Sequence, residues 1–328
     1  MSNSPIDLVD LEAWRSGGPE ERRRTLARLD ASLRDTGFVM VSGHGVDPAL
    51  RTAVREAADT AFALPPAVKD GYRNEGNGGW TGPGGISAGA IQDAASPPDL
   101  VELWSLYPHH PGVWPAEAPT LREPVEEYVR EMRRLSLDLL ELLAAALGEP
   151  ADFLTRHDAD AAWTCNVNWY RSRRETGAPR PGQYRLGAHQ DWDLMAVLDR
   201  QQGLGCLQVR TGPPDAADAA AAVDASDASD ASDGEAGWED APYHPEADAL
   251  TVNLGELGAM WSDGRWQAGW HRVLPPPADA PAEQLTSLVW FYNPGPATPM
   301  PPAAAERGES AETVGAFLDE RLEAILLS

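Results

Sequence analysis

Gly187-Ala188-His189-Gln190-Asp191-Trp192-Asp193-Leu194-Met195-Ala196-Val197-Leu198 decides how the rest of the chain is read. A His-X-Asp pair closes one short segment and an unbroken apolar run opens the next. Much later comes a second histidine, in His271-Arg272-Val273. Two positions apart on a strand, His189 and Asp191 share a face. With His271 they make two imidazoles and one carboxylate, a set able to hold a metal on one face and leave the other open. Open positions and mixed N/O donors favour Fe(II) over zinc. Asp193 is a further carboxylate nearby, read as a turn or supporting residue.

Outward from this stretch the chain has a strand rhythm. Short apolar segments at 164–170, 184–189, 194–198, 206–210, 249–254, 271–274 and 286–292 are separated by turn residues. That rhythm suits a double-stranded β-helix, or jelly roll, whose interior can hold a ligand. Helical periodicity appears at 19–36, 48–63 and 121–147, with Val125, Tyr128, Val129, Met132, Leu135 and Leu139 on one stripe of the last. The Gly-rich 76–89 reads as a loop from which Trp80 overhangs the interior, and 311–327 reads as a terminal helix. The fold class is therefore mainly β with flanking helices, a jelly-roll core and an α-rich N-terminal region. The expected divisions are 1–118, then a core over 119–311 with its long support helix, then 312–328.

Residues 212–237 interrupt the core with Asp-Ala-Ser repeats. They hold no aromatic residue and no aliphatic side chain larger than Val223. Such a stretch buries too little apolar surface to offset its ordering entropy and reads as a disordered surface insertion.

The 328 residues carry a formal net charge of −25, a field that disfavours nucleic acid. No apolar run reaches the roughly 20 residues of a membrane span. The N-terminus lacks a signal-peptide pattern, and the two cysteines, Cys165 and Cys206, sit in candidate core strands. A cytoplasmic protein with buried thiols is expected. Lys69 is the only lysine.

Further motifs stand in order along the chain. Pro5-Ile6-Asp7-Leu8 opens it, and Asp35-Thr36-Gly37-Phe38-Val39-Met40-Val41 runs on to His44-Gly45-Val46. Phe62-Ala63-Leu64-Pro65 precedes Lys69, and Asp99-Leu100-Val101-Glu102-Leu103-Trp104 follows. With the flanks of His189 and His271, these segments resemble the Fe(II)/2-oxoglutarate-dependent dioxygenase superfamily, in its isopenicillin N synthase-like branch. The resemblance covers nearly the whole chain. It implies Fe(II) on His189, Asp191 and His271, O2 and a small-molecule substrate as partners, and 2-oxoglutarate as cosubstrate. Hydroxylation, desaturation or cyclisation of the substrate, in secondary metabolism, is the implied chemistry. Asn168 and Tyr170 match an Asn-X-Tyr whose polar tips contact cosubstrate or substrate, and Ser287 matches the Ser of an Arg-X-Ser. The Arg of that motif, which pairs with the distal carboxylate of the cosubstrate, is here Leu285.

That departure leaves alternatives open. One is an oxidase of the isopenicillin N synthase type, drawing all electrons from its substrate. Another is a binding module that keeps a metal without catalysis. A substitute cation would restore the usual reading. Arg185 precedes His189 by an even step and shares its face on a regular strand; a bulge near Gly187 would reverse this. Arg171, Arg173 and Arg174 read as loop residues and Arg272 as outward-pointing. Trp104, Trp169, Trp192, Trp261, Trp290 and Phe291 read mostly as core, with some as candidate pocket walls.

Overall fold

The computed structural model describes residues 4, 6–91, 96–108, 110, 112–203, 207–211, 237–300 and 312–326. The proposed insertion, apart from Gly237, and Cys206 lie outside them.

Twelve strands build two facing sheets. In chain order they are β1 (Leu8–Asp10), β2 (Phe38–Ser42), β3 (Gly79–Thr81), β4 (Val101–Leu106), β5 (Ala162–Tyr170), β6 (Leu186–His189), β7 (Met195–Asp199), β8 (Leu207–Arg210), β9 (Trp238–Asp240), β10 (Leu250–Leu254), β11 (His271–Val273) and β12 (Leu285–Asn293). The larger sheet runs β1-β2-β10-β7-β12-β5-β4-β3 and the smaller β6-β11-β8-β9. Strands β2 and β7 are apolar without alternation, and β10 is buried along its whole length despite Thr251 and Asn253, because both faces of the large sheet are covered. Helices cover its outer face and the small sheet its inner one.

The support helix, Arg122–Leu147, lies on the outer face, burying Tyr128, Met132, Leu135 and Leu139. Its Ser136 hydroxyl accepts the Trp290 indole N–H at 2.8 Å. Gly148 ends the helix at φ +81°, a left-handed turn that glycine adopts without steric cost. The helix Pro48–Phe62 starts at an Asp47 cap and ends with Phe62 stacked 5.2 Å from Trp169. Between the sheets, Phe38, Met40, Val101, Tyr170 and Leu285 of one meet Leu207, Val209 and Val273 of the other.

The Phe62-to-Lys69 motif and the Glu102 motif meet in a buried ion pair. Lys69 Nζ lies 2.7 Å from Glu102 Oε2 and donates to the Phe62 carbonyl at 2.9 Å. Glu102 also accepts the Trp80 indole N–H at 3.0 Å and faces Arg171 at 3.4 Å.

The three long helices and the seven core strands of the sequence reading are present with shifted ends, and the terminal helix is Val314–Leu326. Other expectations are corrected. The glycine-rich segment is not all loop. Trp80 pairs with Trp104 in β3–β4, which turns its indole to Glu102 on the outer face, away from the interior. Of the opening motif Pro5-Ile6-Asp7-Leu8, Pro5 lies outside the described residues and Leu8 alone belongs to β1, as the partner of Met40. Strand β9 was not anticipated. It pairs with β8, and Thr211 N donates to Gly237 O at 2.8 Å, so the two ends of the insertion meet at a hairpin. Cys165 is buried, its thiol pushed up to about 12 by desolvation. Among the described residues no helix is long and apolar enough to cross a membrane.

Candidate metal centre

His189 ends β6 and His271 begins β11, and the two are direct partners across the antiparallel ladder. Asp191 lies just past β6 in the connection to β7, not on the strand itself. The chain at 191–193 is pressed against Gly255, where a Cβ would stand 2.6 Å from the Asp191 carbonyl oxygen. Glu256 N donates to that oxygen at 2.9 Å and Leu257 N to the Trp192 carbonyl at 3.1 Å. The Leu254-Gly255-Glu256 segment thus clamps the backbone that presents Asp191.

These elements bring one donor atom of His189, Asp191 and His271 each within 4.8 Å of one another. Asp191 Oδ1 stands 3.5 Å from His189 Nε2 and 3.9 Å from His271 Nε2. His189 Nδ1 is 2.8 Å from the Gly187 carbonyl and His271 Nδ1 is 3.1 Å from that of Gly269. A carbonyl only accepts, so both Nδ1 atoms carry the proton and both Nε2 lone pairs face Asp191. Asn253, buried in β10, donates to Asp191 Oδ2 at 2.7 Å and leaves Oδ1 turned to the imidazoles. Burial alone would raise Asp191, but the two imidazoles and the Asn253 bond hold it well below the usual carboxylate range. Burial pushes His271 down to about 4, with His189 adding to the effect. Burial would lower His189, but the Asp191 carboxylate outweighs it and raises that imidazole. A divalent iron taking the place of that proton would meet two neutral imidazoles and one ionised carboxylate, each oriented by a second partner.

Asp193 faces the other way, accepting from Asn293 Nδ2, while Asn293 Oδ1 takes the Leu194 N–H at 2.9 Å. Burial and then the Asp191 charge push Asp193 up to about 7. It braces the turn.

Asn168, Tyr170 and Ser287 gather on the inner face of the large sheet. Ser287 is the partner of Asn168, and Leu285 is the partner of Tyr170. All three polar residues are buried. Asn168 Nδ2 donates to the Tyr170 hydroxyl at 3.4 Å, and Asn168 Oδ1 has no partner among the described residues. Burial pushes the Tyr170 phenol up to about 12, against the pull of Asn168 and Arg185.

The arginines separate clearly. A bulge does interrupt the β6–β11 register. Even so Arg185 is 0% exposed, and its Nη1 lies 2.9 Å from Glu283 Oε1. Arg272 points outward as expected, 4.4 Å over Trp238 and bonded to Gln208. Arg171 turns to Glu102 on the outer face, and Arg173 and Arg174 lie on the short helix Arg173–Thr176. Trp104, Trp169, Trp261 and Trp290 belong to the core on the helix side.

Three contributors escaped the sequence reading. Asn253 is the amide residue of β10, a strand that also carries Thr251. Asp99 accepts Gly187 N and Ala88 N, both at 2.8 Å, and so ties Ala88 to β6. Glu283 lies in a connection without pattern.

Residues 6–128 match the family profile described as non-haem dioxygenase in morphine synthesis N-terminal. Validamycin A dioxygenase of Streptomyces hygroscopicus subsp. limoneus is 35% identical, over 93% of this chain and 81% of that one. Jasmonate-induced oxygenase 2 of Arabidopsis thaliana is 29% identical, over 90% and 72%. A full-length Neurospora crassa protein solved with alpha-KG and thymine shares the fold, with a TM-score of 0.76 at 22% identity over 98% of this chain and 97% of that one. Taken with the jelly-roll architecture, the extent of these matches places the chain in the Fe(II)/2-oxoglutarate-dependent dioxygenase superfamily.

Proposed function

We propose that the protein is a mononuclear Fe(II) oxygenase of a small-molecule natural product, in the chemical class of validamycin A, with 2-oxoglutarate as cosubstrate. The reading assigns the iron to His189, Asp191 and His271, and the oxoacid to Asn168, Tyr170 and Ser287. One observation carries it: two Nε2 lone pairs and one free carboxylate oxygen converge within 4.8 Å, each held from behind. The relative at 35% identity supports the substrate class by its name.

Bound iron, with O2 and the oxoacid, would supply the oxidising power that breaks a substrate C–H bond. The chain's own groups position and shield. The Gly187 and Gly269 carbonyls fix the imidazole tautomers, and Asn253 fixes the carboxylate. Tyr170 stays protonated at neutral pH and can donate. The apolar inner wall of Val209, Val273 and Leu285 keeps water from the reacting face.

Asn253→Ala is expected to lower Fe(II) affinity by roughly 10- to 100-fold, the range for loss of a partner behind a ligand. Competitive chelator titration reads this; unchanged affinity would count against Asp191 as a ligand.

The whole reading is tested by anaerobic titration of the Fe(II)-loaded protein with 2-oxoglutarate. A saturable visible charge-transfer band is the expected result. Iron bound without such a band would overturn the cosubstrate assignment. It would favour the second reading, an oxidase that takes its electrons from substrate, for which Leu285 is the motive.

A further inference from the structure

The inner face at Leu285 is more polar than that residue implies. Asn168 Oδ1 is buried without a partner among the described residues. The Tyr170 hydroxyl accepts from Asn168 and donates to no described group. Buried hydrogen-bonding capacity left unused destabilises the fold, so its accumulation in one place calls for a ligand. Both groups lie on β5, opposite Leu285 and Ser287 of β12.

Arg185 reaches the same place from the other sheet. Its backbone N–H joins the small sheet through the Val273 carbonyl at 3.1 Å. Its guanidinium bonds Glu283 twice, through Nη1 to Oε1 at 2.9 Å and Nη2 to the backbone carbonyl at 3.0 Å. Glu283 lies against Leu285. A Cβ at Gly203 would meet both, Leu285 Cδ1 at 2.8 Å and Glu283 Oε2 at 3.1 Å. The Arg185 charge also acts on the Tyr170 phenol. Arg185, Glu283, Leu285 and Tyr170 thus form one neighbourhood. The Glu283 side chain keeps 14% of its surface exposed, so it has a way out to solvent that Arg185, at 0%, lacks.

We propose that Arg185 holds the distal carboxylate of the oxoacid from the small sheet, with Tyr170 and Ser287 as hydroxyl donors, and that Glu283 is the counter-ion the oxoacid displaces. The inference rests on the 2-oxoglutarate reading above. A buried Arg without an anion is costly, and Glu283 meets that need in the resting protein. An oxoacid carboxylate can take the Nη1 donor that the Glu283 side chain gives up, while Nη2 keeps the Glu283 backbone carbonyl, and can add bonds from the Tyr170 and Ser287 hydroxyls. Leu285 then forms an apolar wall beside the carbon chain of the cosubstrate.

The test compares 2-oxoglutarate with 2-oxobutyrate, which lacks the distal carboxylate, by the charge-transfer titration of Fe(II)-loaded protein. Wild type is expected to prefer 2-oxoglutarate by at least about 10-fold, as bonds to charged groups imply. Arg185→Met is expected to weaken 2-oxoglutarate by roughly 10- to 100-fold and leave 2-oxobutyrate unchanged. A merely structural Arg185 would weaken both equally, which overturns the proposal. Should Arg185→Met fail to bind Fe(II), Glu283→Gln and Arg185→Lys carry the test. Glu283→Gln removes the competing charge and should tighten 2-oxoglutarate alone by several-fold. Arg185→Lys should keep part of the preference. An unchanged ratio in both variants overturns the inference. No band with either oxoacid in wild type would overturn the 2-oxoglutarate reading and this inference with it. A wild-type band that Arg185→Met leaves untouched overturns this inference alone.

Discussion

Asp191→Ala is expected to release the iron and abolish oxygen-dependent turnover while leaving the protein folded. The carboxylate is the only charged donor of the three, and it faces both imidazoles. Its loss should exceed the 10- to 100-fold expected for a supporting partner, so Fe(II) affinity should fall by well over about 100-fold. Folding should survive because the Asp191 backbone, rather than its side chain, carries the clamp from Gly255 and Glu256. Metal content after gel filtration, O2 uptake and thermal unfolding measure the three effects. A variant that keeps stoichiometric iron and turnover would remove Asp191 from the site and with it the proposed mechanism.

The largest effect on stability is expected from Glu102→Leu. Glu102 and Lys69 have side-chain exposures of 2% and 5%, and Lys69 has the Phe62 carbonyl as its other acceptor. Removing the carboxylate strands a buried ammonium, which costs about 3–5 kcal/mol, and also orphans the Trp80 indole N–H. Lys69→Met should cost less, because Trp80 and Arg171 still satisfy Glu102. Urea unfolding of both variants tests the order. Equal losses, or a larger loss from Lys69→Met, would show that Arg171 does not sustain the carboxylate.

Much of this arrangement was legible in the sequence, for identifiable reasons. Strands β2 and β7 are buried on both sides and announce themselves as apolar runs. The donors stood out because His189 and Asp191 are close in sequence and their flanks are distinctive. Partners distant in the chain were not legible. Asn253 lies 62 positions from Asp191 and Glu283 lies 98 from Arg185, and only register and packing join them. Strand β3 escaped because three residues beginning with glycine carry no period; pairing with β4 makes them a strand. Some misplacement was avoidable. Trp169 stands between Asn168 and Tyr170, so alternation alone puts it on the opposite face. Trp290 is likewise an odd step from Ser287.

The hydrogen bond that joins Thr211 to Gly237 makes the stretch between them topologically neutral: the chain leaves the small sheet and re-enters it at one point. Loop-closure entropy grows only logarithmically, about 0.6 kcal/mol for each doubling of length. Segments of very different size can therefore be spliced there as long as the β8–β9 pairing that precedes and follows the junction is kept. The number of residues separating Asp191 from His271 is consequently free to drift, and the junction at 211 and 237 offers an engineering port for reporters or affinity tags at the end of the strand that pairs with His271.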